Sequence, residues 1–168
     1  MALRDHLRQI TMLLAPFPDR VIHRNPSGGG SYVKHSTVQQ RILDVLGLVD
    51  FSLVEIVRGD VAEIPPNPKG TSERAKRGAP ALSGVVVGVV ARMAATVDGQ
   101  RVVVEEAGDC EAPHNWPHDG ARMKDAMSDA YKRCAMRLGV GLHLWSQEDF
   151  YVFDKFMKAD EAAAGGEG

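Results

Sequence analysis

Cysteine is scarce in this chain: only Cys110 and Cys134 occur among 168 residues, too few for a disulfide framework, so a reducing, intracellular compartment is expected. Long apolar runs are missing as well. No stretch approaches the roughly 20 residues that cross a bilayer, and no membrane partner is expected. The opening MALRDHLRQITMLLAPF interrupts its apolar stretch with Arg4, Asp5 and Arg8, which argues against a signal peptide. Catalytic signatures are absent too. There is no G-x-S-x-G, no H-E-x-x-H and no pairing of carboxylates recognisable from sequence, and the triplet Gly28-Gly29-Gly30 is not followed by the Lys-Ser/Thr of a nucleotide-binding loop. Neither a catalytic residue nor a cofactor is expected. What is present is an ordinary globular composition, 44% apolar and 25% charged, at a length that fits one domain.

The net charge of −2 conceals a gradient. Residues 146–168 carry Glu148, Asp149, Asp154, Asp160, Glu161 and Glu167 against Lys155 and Lys158, a net −4. Residues 1–41 carry Arg4, Arg8, Arg20, Arg24, Lys34 and Arg41 against Asp5 and Asp19, a net +4. Local patches matter more than the total for holding phosphates, so an overall acidic balance does not exclude nucleic acid.

Leu3, Leu7, Ile10 and Leu14 recur at helical spacing until Pro16 and Pro18, which predicts a short amphipathic helix over 2–15. Pro26 and the glycine triplet predict a flexible loop between two short extended pieces. Ser36 followed by Gln39 reads as a capping box opening a helix that Gly47 stops. Phe51 to Arg58 reads as a strand, and the four prolines of residues 63–80 predict a long loop. Leu82 to Val97, Asp98-Gly99 and Arg101 to Glu106 form the strongest short-range hairpin signal. A helix is predicted over 120–138, with Met123, Met127, Ala130, Cys134 and Leu138 as one buried stripe and a stop at Gly139. Trp145, Phe150, Phe153 and Phe156 are expected to pack a last helical segment on the body. The order predicts an α+β fold with an antiparallel sheet, a domain over residues 1–156 and a disordered acidic tail over 157–168.

Lys124, Lys132 and Arg133 fall off the buried stripe and face elsewhere, either as a solvated face paired with Asp125 and Asp129 or as a ligand surface. Arg24 beside the glycine loop, and Lys69, Arg74, Lys76 and Arg77 in the basic loop, read either as solvated excursions or as phosphate contacts. The one enzyme-like cluster is Cys110, His114 and His118 with Asp109 alongside. Pro113 and Pro117 break any helix that would align it, and a structural zinc wants four ligands, so no metal is expected.

Three stretches, VIHRNPSGGGSYV, STVQQRILDVLGLVDFSLVEI and above all SDAYKRCAMRLGVGL, resemble the single-strand annealing protein superfamily, in its Rad-fifty-two-like branch and closest to phage-type recombinases. The resemblance covers about residues 17–145. It implies a β-β-β-α core with N-terminal helices, assembly of many copies into a ring or filament, and a basic groove for single-stranded DNA. In that groove the bases face outward for pairing, without ATP, in recombination or double-strand-break repair. By motif position Lys132 and Arg133 resemble the family's groove-lining Lys-Arg pair, Lys124 a further groove cation, and Arg24 the arginine before the glycine triplet. Lys34, Lys69, Arg74, Lys76 and Arg77 are candidates for a secondary DNA contact. An exonuclease supplying single strands is a candidate partner, in a bacterial cytoplasm or nucleoid. The same cations also suit a single-stranded DNA or RNA binding protein that does not anneal, and the Cys-His cluster keeps a metal-dependent hydrolase as a third alternative.

Overall fold

The computed structural model describes residues 7–25, 30–146 and 149–165. Its organising element is strand β4 (Leu82–Val97), dense in valine and free of proline, at the centre of a three-stranded antiparallel sheet. Asp98 and Gly99 turn the chain with φ of 48° and 78°, the left-handed pair that a two-residue hairpin requires. Strand β5 (Gln100–Asp109) then returns in unbroken register from Val97↔Gln100 to Gly88↔Asp109. Strand β3 (Asp50–Val61) pairs on the other side of β4 with three register shifts, so the order is β3-β4-β5. The extended pieces flanking the glycine loop pair as a small hairpin, β1 (His23–Arg24) with β2 (Ser31–Tyr32). Residues 26–29 of the expected flexible loop lie outside the described residues.

Helices α1 (Gln9–Leu14) and α2 (His35–Leu46) precede the sheet, α3 (Glu73–Arg77) interrupts the proline-rich excursion, and α4 (Asp119–Arg137), α5 (His143–Ser146) and α6 (Val152–Gly165) follow. The class is α+β with antiparallel sheets and packed helices. Helix α4 lies across β4 and β5, where Val89, Ala91 and Met93 of the strand and Ala126, Ala130 and Cys134 of the helix are fully buried. The contact is close because β5 offers Gly108 there. A Cβ at that position would collide with the carbonyl oxygen of Ala126 and the backbone of Ala130. Ala130, Cys134 and Leu138 of the expected stripe are buried, and this approach corrects the rest of it. Only alanines fit beneath Gly108, so Ala126 and Ala130 take the contact, while Met123 and Met127 sit half-buried at its flank. Leu13, Val38, Ile42, Met93, Tyr131 and Leu138 extend the core between the helices and β4.

Other expectations need correcting. Helix α2 begins at His35 with Lys34 as its N-cap and no side-chain capping bond, so Ser36 and Gln39 do not form a capping box. Trp145 is 71% exposed rather than packed on the body. The acidic tail is helical to Gly165 because Asp160 is clasped: its carboxylate accepts from Thr11 Oγ1 at 2.6 Å, from the Arg8 backbone N at 3.0 Å and from the Arg8 guanidinium. Burial opposes ionisation of Asp160, but these donors outweigh it and hold the carboxyl below its ordinary range. No helix among the described residues is long and apolar enough to cross a membrane.

The predicted first helix shortens to α1, and residues 1–6 lie outside the described residues. Six residues cannot hold a helix unaided. Both ends of α1 are satisfied from a distance. The Asp98 carboxylate, in the hairpin turn, accepts from the backbone N–H groups of Gln9 (2.6 Å) and Ile10 (3.3 Å), and Gln9 Oε1 accepts from Asp98 N (2.7 Å). Arg41 of α2 donates to the carbonyls of Met12 (3.0 Å) and Ala15 (2.7 Å) and stacks on Phe17. Asp98→Gly keeps the left-handed turn but removes the cap. It is expected to cost about 1 kcal/mol in urea unfolding, the size of lost charge-assisted bonds at an exposed helix terminus. An unchanged midpoint would show the cap to be energetically idle.

Candidate nucleic-acid interface

Helix α4 carries the candidate cations because its buried side is fixed by the alanines under Gly108. Lys124, Ser128 and Lys132 follow at steps of four on the side away from the sheet, about 12 Å from first to last at the helical rise. Arg133 lies beside Lys132. The β1-β2 hairpin abuts the same part of α4: Ser31 and Tyr32 share a shallow cleft of about 90 Å³ with Lys132, Arg133 and Met136. Arg24 is the register partner of Ser31 across that hairpin, on the strand next to the one that lines the cleft. Among the described residues no carboxylate lies within ion-pair distance of Arg24, Lys34 or Lys124.

Lys132 and Arg133 are otherwise placed. Asp129 holds both, through Lys132 Nζ at 3.7 Å and Arg133 Nε at 2.7 Å, and also accepts from Asp109 N at 3.3 Å. The hydrogen bond from Arg133 to Asp129, with Asp109 and Glu106 behind it, pushes the guanidinium further above its ordinary range. A groove of about 700 Å³ beside the pair is lined by Asp109, Glu111, Asp125 and Asp129 as well as by the two cations. The side expected to be basic is therefore mixed, with Asp129 paired to both cations.

Other basic residues are spent on the fold. Arg8 binds Asp160 and Arg41 caps α1, while Arg4 lies outside the described residues. Arg122, only 6% exposed, donates to the carbonyls of Pro113 (3.0 Å) and Trp116 (2.8 Å) and to Asp119 (3.1 Å), which ties the irregular segment ahead of α4 to its first turn. Asp119 also binds Arg58 and the backbone N of Val86, and these donors hold its carboxyl below the ordinary range.

The secondary candidates sit elsewhere. The excursion of residues 63–80 closes on itself through a two-way Ile64–Ala79 bridge at 2.8 Å, and with Ala112, Pro113 and His114 it lines a separate cavity of about 610 Å³. Lys76 pairs with Glu73 at 2.9 Å, Lys69 and Arg77 are exposed, and the side chain of Arg74 lies outside the described part of the structure.

The Cys-His cluster does not converge. Cys110 is buried, and burial first, then Asp125, pushes its thiol up. His114 Nε2 is 2.9 Å from the carbonyl of Ala62, and His118 Nδ1 accepts from Ala121 N at 3.2 Å as the N-cap of α4. Among the described residues, no three His, Cys, Asp or Glu side chains stand together as a metal site. Cys134, fully buried against the sheet, has its thiol raised to about 11 by desolvation and is a core side chain.

A second surface was not legible in the pattern of charges. An apolar groove of about 740 Å³ runs between α2, the start of β3 and α4, lined by Ile42, Leu43, Phe51, Met127 and Tyr131, with Lys124 on its wall and Leu48 93% exposed. It adjoins the charged groove at Asp125 and Ser128, which line both. Comparison with known proteins finds no matching family model and no matching curated protein.

Proposed function

We propose that this chain binds single-stranded DNA and anneals complementary strands without ATP, as the resemblance to the Rad-fifty-two-like annealing proteins implies. The observation that supports the reading is that Lys132 and Arg133 of α4 line one cleft with Ser31 and Tyr32 of the β1-β2 hairpin, whose other strand carries Arg24, with Lys124 further along the same helix. Arg24 is remote in sequence from the three cations of α4. Cations placed so hold a strand by its phosphates without regard to sequence, and the bases stay free to sample a second strand.

Assembly into many copies is supported by β3. Among the described residues its outer edge has no partner strand, and Leu53, Val54, Ile56 and Val57 on it are 37 to 46% exposed. A long apolar edge favours association with another copy. Neighbouring protomers would then bring further cations to the mixed groove of each one.

Two measurements on the purified full chain test the reading: particle mass by light scattering, and the annealing rate of complementary oligonucleotides without nucleotide. The expected result is a multi-subunit particle that accelerates annealing and loses activity as salt rises. A monomer that leaves the annealing rate unchanged overturns it.

A further inference from the structure

We propose that Trp145 is a stacking platform for an unpaired nucleobase, set beside Lys132 and Arg133 so that a strand held there by its phosphates lays one base on the indole. This inference rests on the single-strand reading above and adds a contact that charge alone does not supply. Trp145 lies in the short α5 and is 71% exposed, an unfavourable position for the largest apolar side chain. It borders the cleft of about 90 Å³ that Lys132 and Arg133 also line, and Tyr32, another exposed aromatic residue, lines the same cleft. At about 90 Å³ the cleft is too small to enclose a base, so a base would lie over the indole at its mouth. Exposed aromatic rings beside phosphate-binding cations suit single strands of any sequence, because every base has a face to stack. A duplex keeps its bases inside and offers the ring nothing.

The sequence contains two tryptophans, Trp116 and Trp145, so Trp116→Phe leaves Trp145 as the sole indole and its emission reports the site directly. Oligo-dT is expected to quench that emission, and a duplex of equal length is not. Trp145→Ala should weaken oligo-dT binding, read by anisotropy of a labelled strand, by roughly tenfold, the loss typical of one stacked base. The salt slope should stay unchanged because no phosphate contact is lost. Trp145→Phe should recover most of the affinity. Tight binding with unquenched emission overturns the platform and leaves the single-strand reading standing, whereas absence of oligo-dT binding by the unsubstituted chain removes both. A Trp145→Ala particle smaller than that of the unsubstituted chain would assign the indole to a subunit contact and also overturn the proposal.

Discussion

Replacing Lys132 and Arg133 together with alanine is expected to weaken single-stranded DNA binding by on the order of thirtyfold, about 2 kcal/mol for two charge-assisted contacts already discounted for their partner Asp129. The fold should survive, since both side chains lie off the buried side of α4, and an unchanged circular dichroism spectrum would establish that. The dependence of log K on log salt should flatten by about 1.4, because each phosphate contact to a single strand contributes about 0.7. Asp129→Asn is the converse experiment. It keeps an acceptor for the Asp109 backbone N–H but removes the charge that holds both cations, so affinity should rise about threefold, the worth of an exposed ion pair. Equal affinity in all three chains would place the strand elsewhere.

Gly108→Ala is expected to destabilise the chain by about 3 kcal/mol, the upper end of ordinary overpacking, because the added methyl meets backbone rather than a yielding side chain. Helix α4 cannot stay where it is, since the carbonyl of Ala126 and the backbone of Ala130 occupy the space. Displacing α4 also displaces Lys132 and Arg133 from the β1-β2 hairpin, so DNA affinity should fall with stability although residue 108 touches no strand. Denaturant unfolding checks the first effect and anisotropy the second. Wild-type stability would mean that β5 shifts freely under the helix.

Elements specified by near neighbours were legible before any coordinates. The hairpin of β4 and β5 announced itself through Asp98-Gly99, and the backbone there takes the two positive φ values such a turn needs. Helix α4 was legible as an amphipathic segment, and so was the solvent side that carries Lys132 and Arg133. What sequence spacing missed are bonds between distant residues. Arg41 reads as one more unit of positive charge, but its guanidinium caps α1. Arg122 falls on the buried side because three carbonyl and carboxylate groups wait for it there. The first part of the buried stripe moved from Met123 and Met127 to Ala126, beside the expected Ala130, because a glycine on another element set the spacing. In the candidate site, the pairing of Asp129 with Lys132 and Arg133 was foreseeable from i, i+3 and i, i+4 spacing. The shared cleft with Tyr32 and Trp145 was not, since it joins α4 and α5 to β2, which is remote from both in sequence.

The cap that Asp98 places on α1 also orders events in time. The turn that holds Asp98 forms early, because hairpin contacts close short loops. Gln9 and Ile10 lie 89 and 88 residues away from it, and α1 is too short to wait as a preformed helix. Docking of α1 is then a late step on the folding pathway, made after the sheet has supplied its acceptor. Weakening that cap should therefore leave the refolding arm of a chevron in place and raise the unfolding arm, making the first helix the earliest part of the native state to let go.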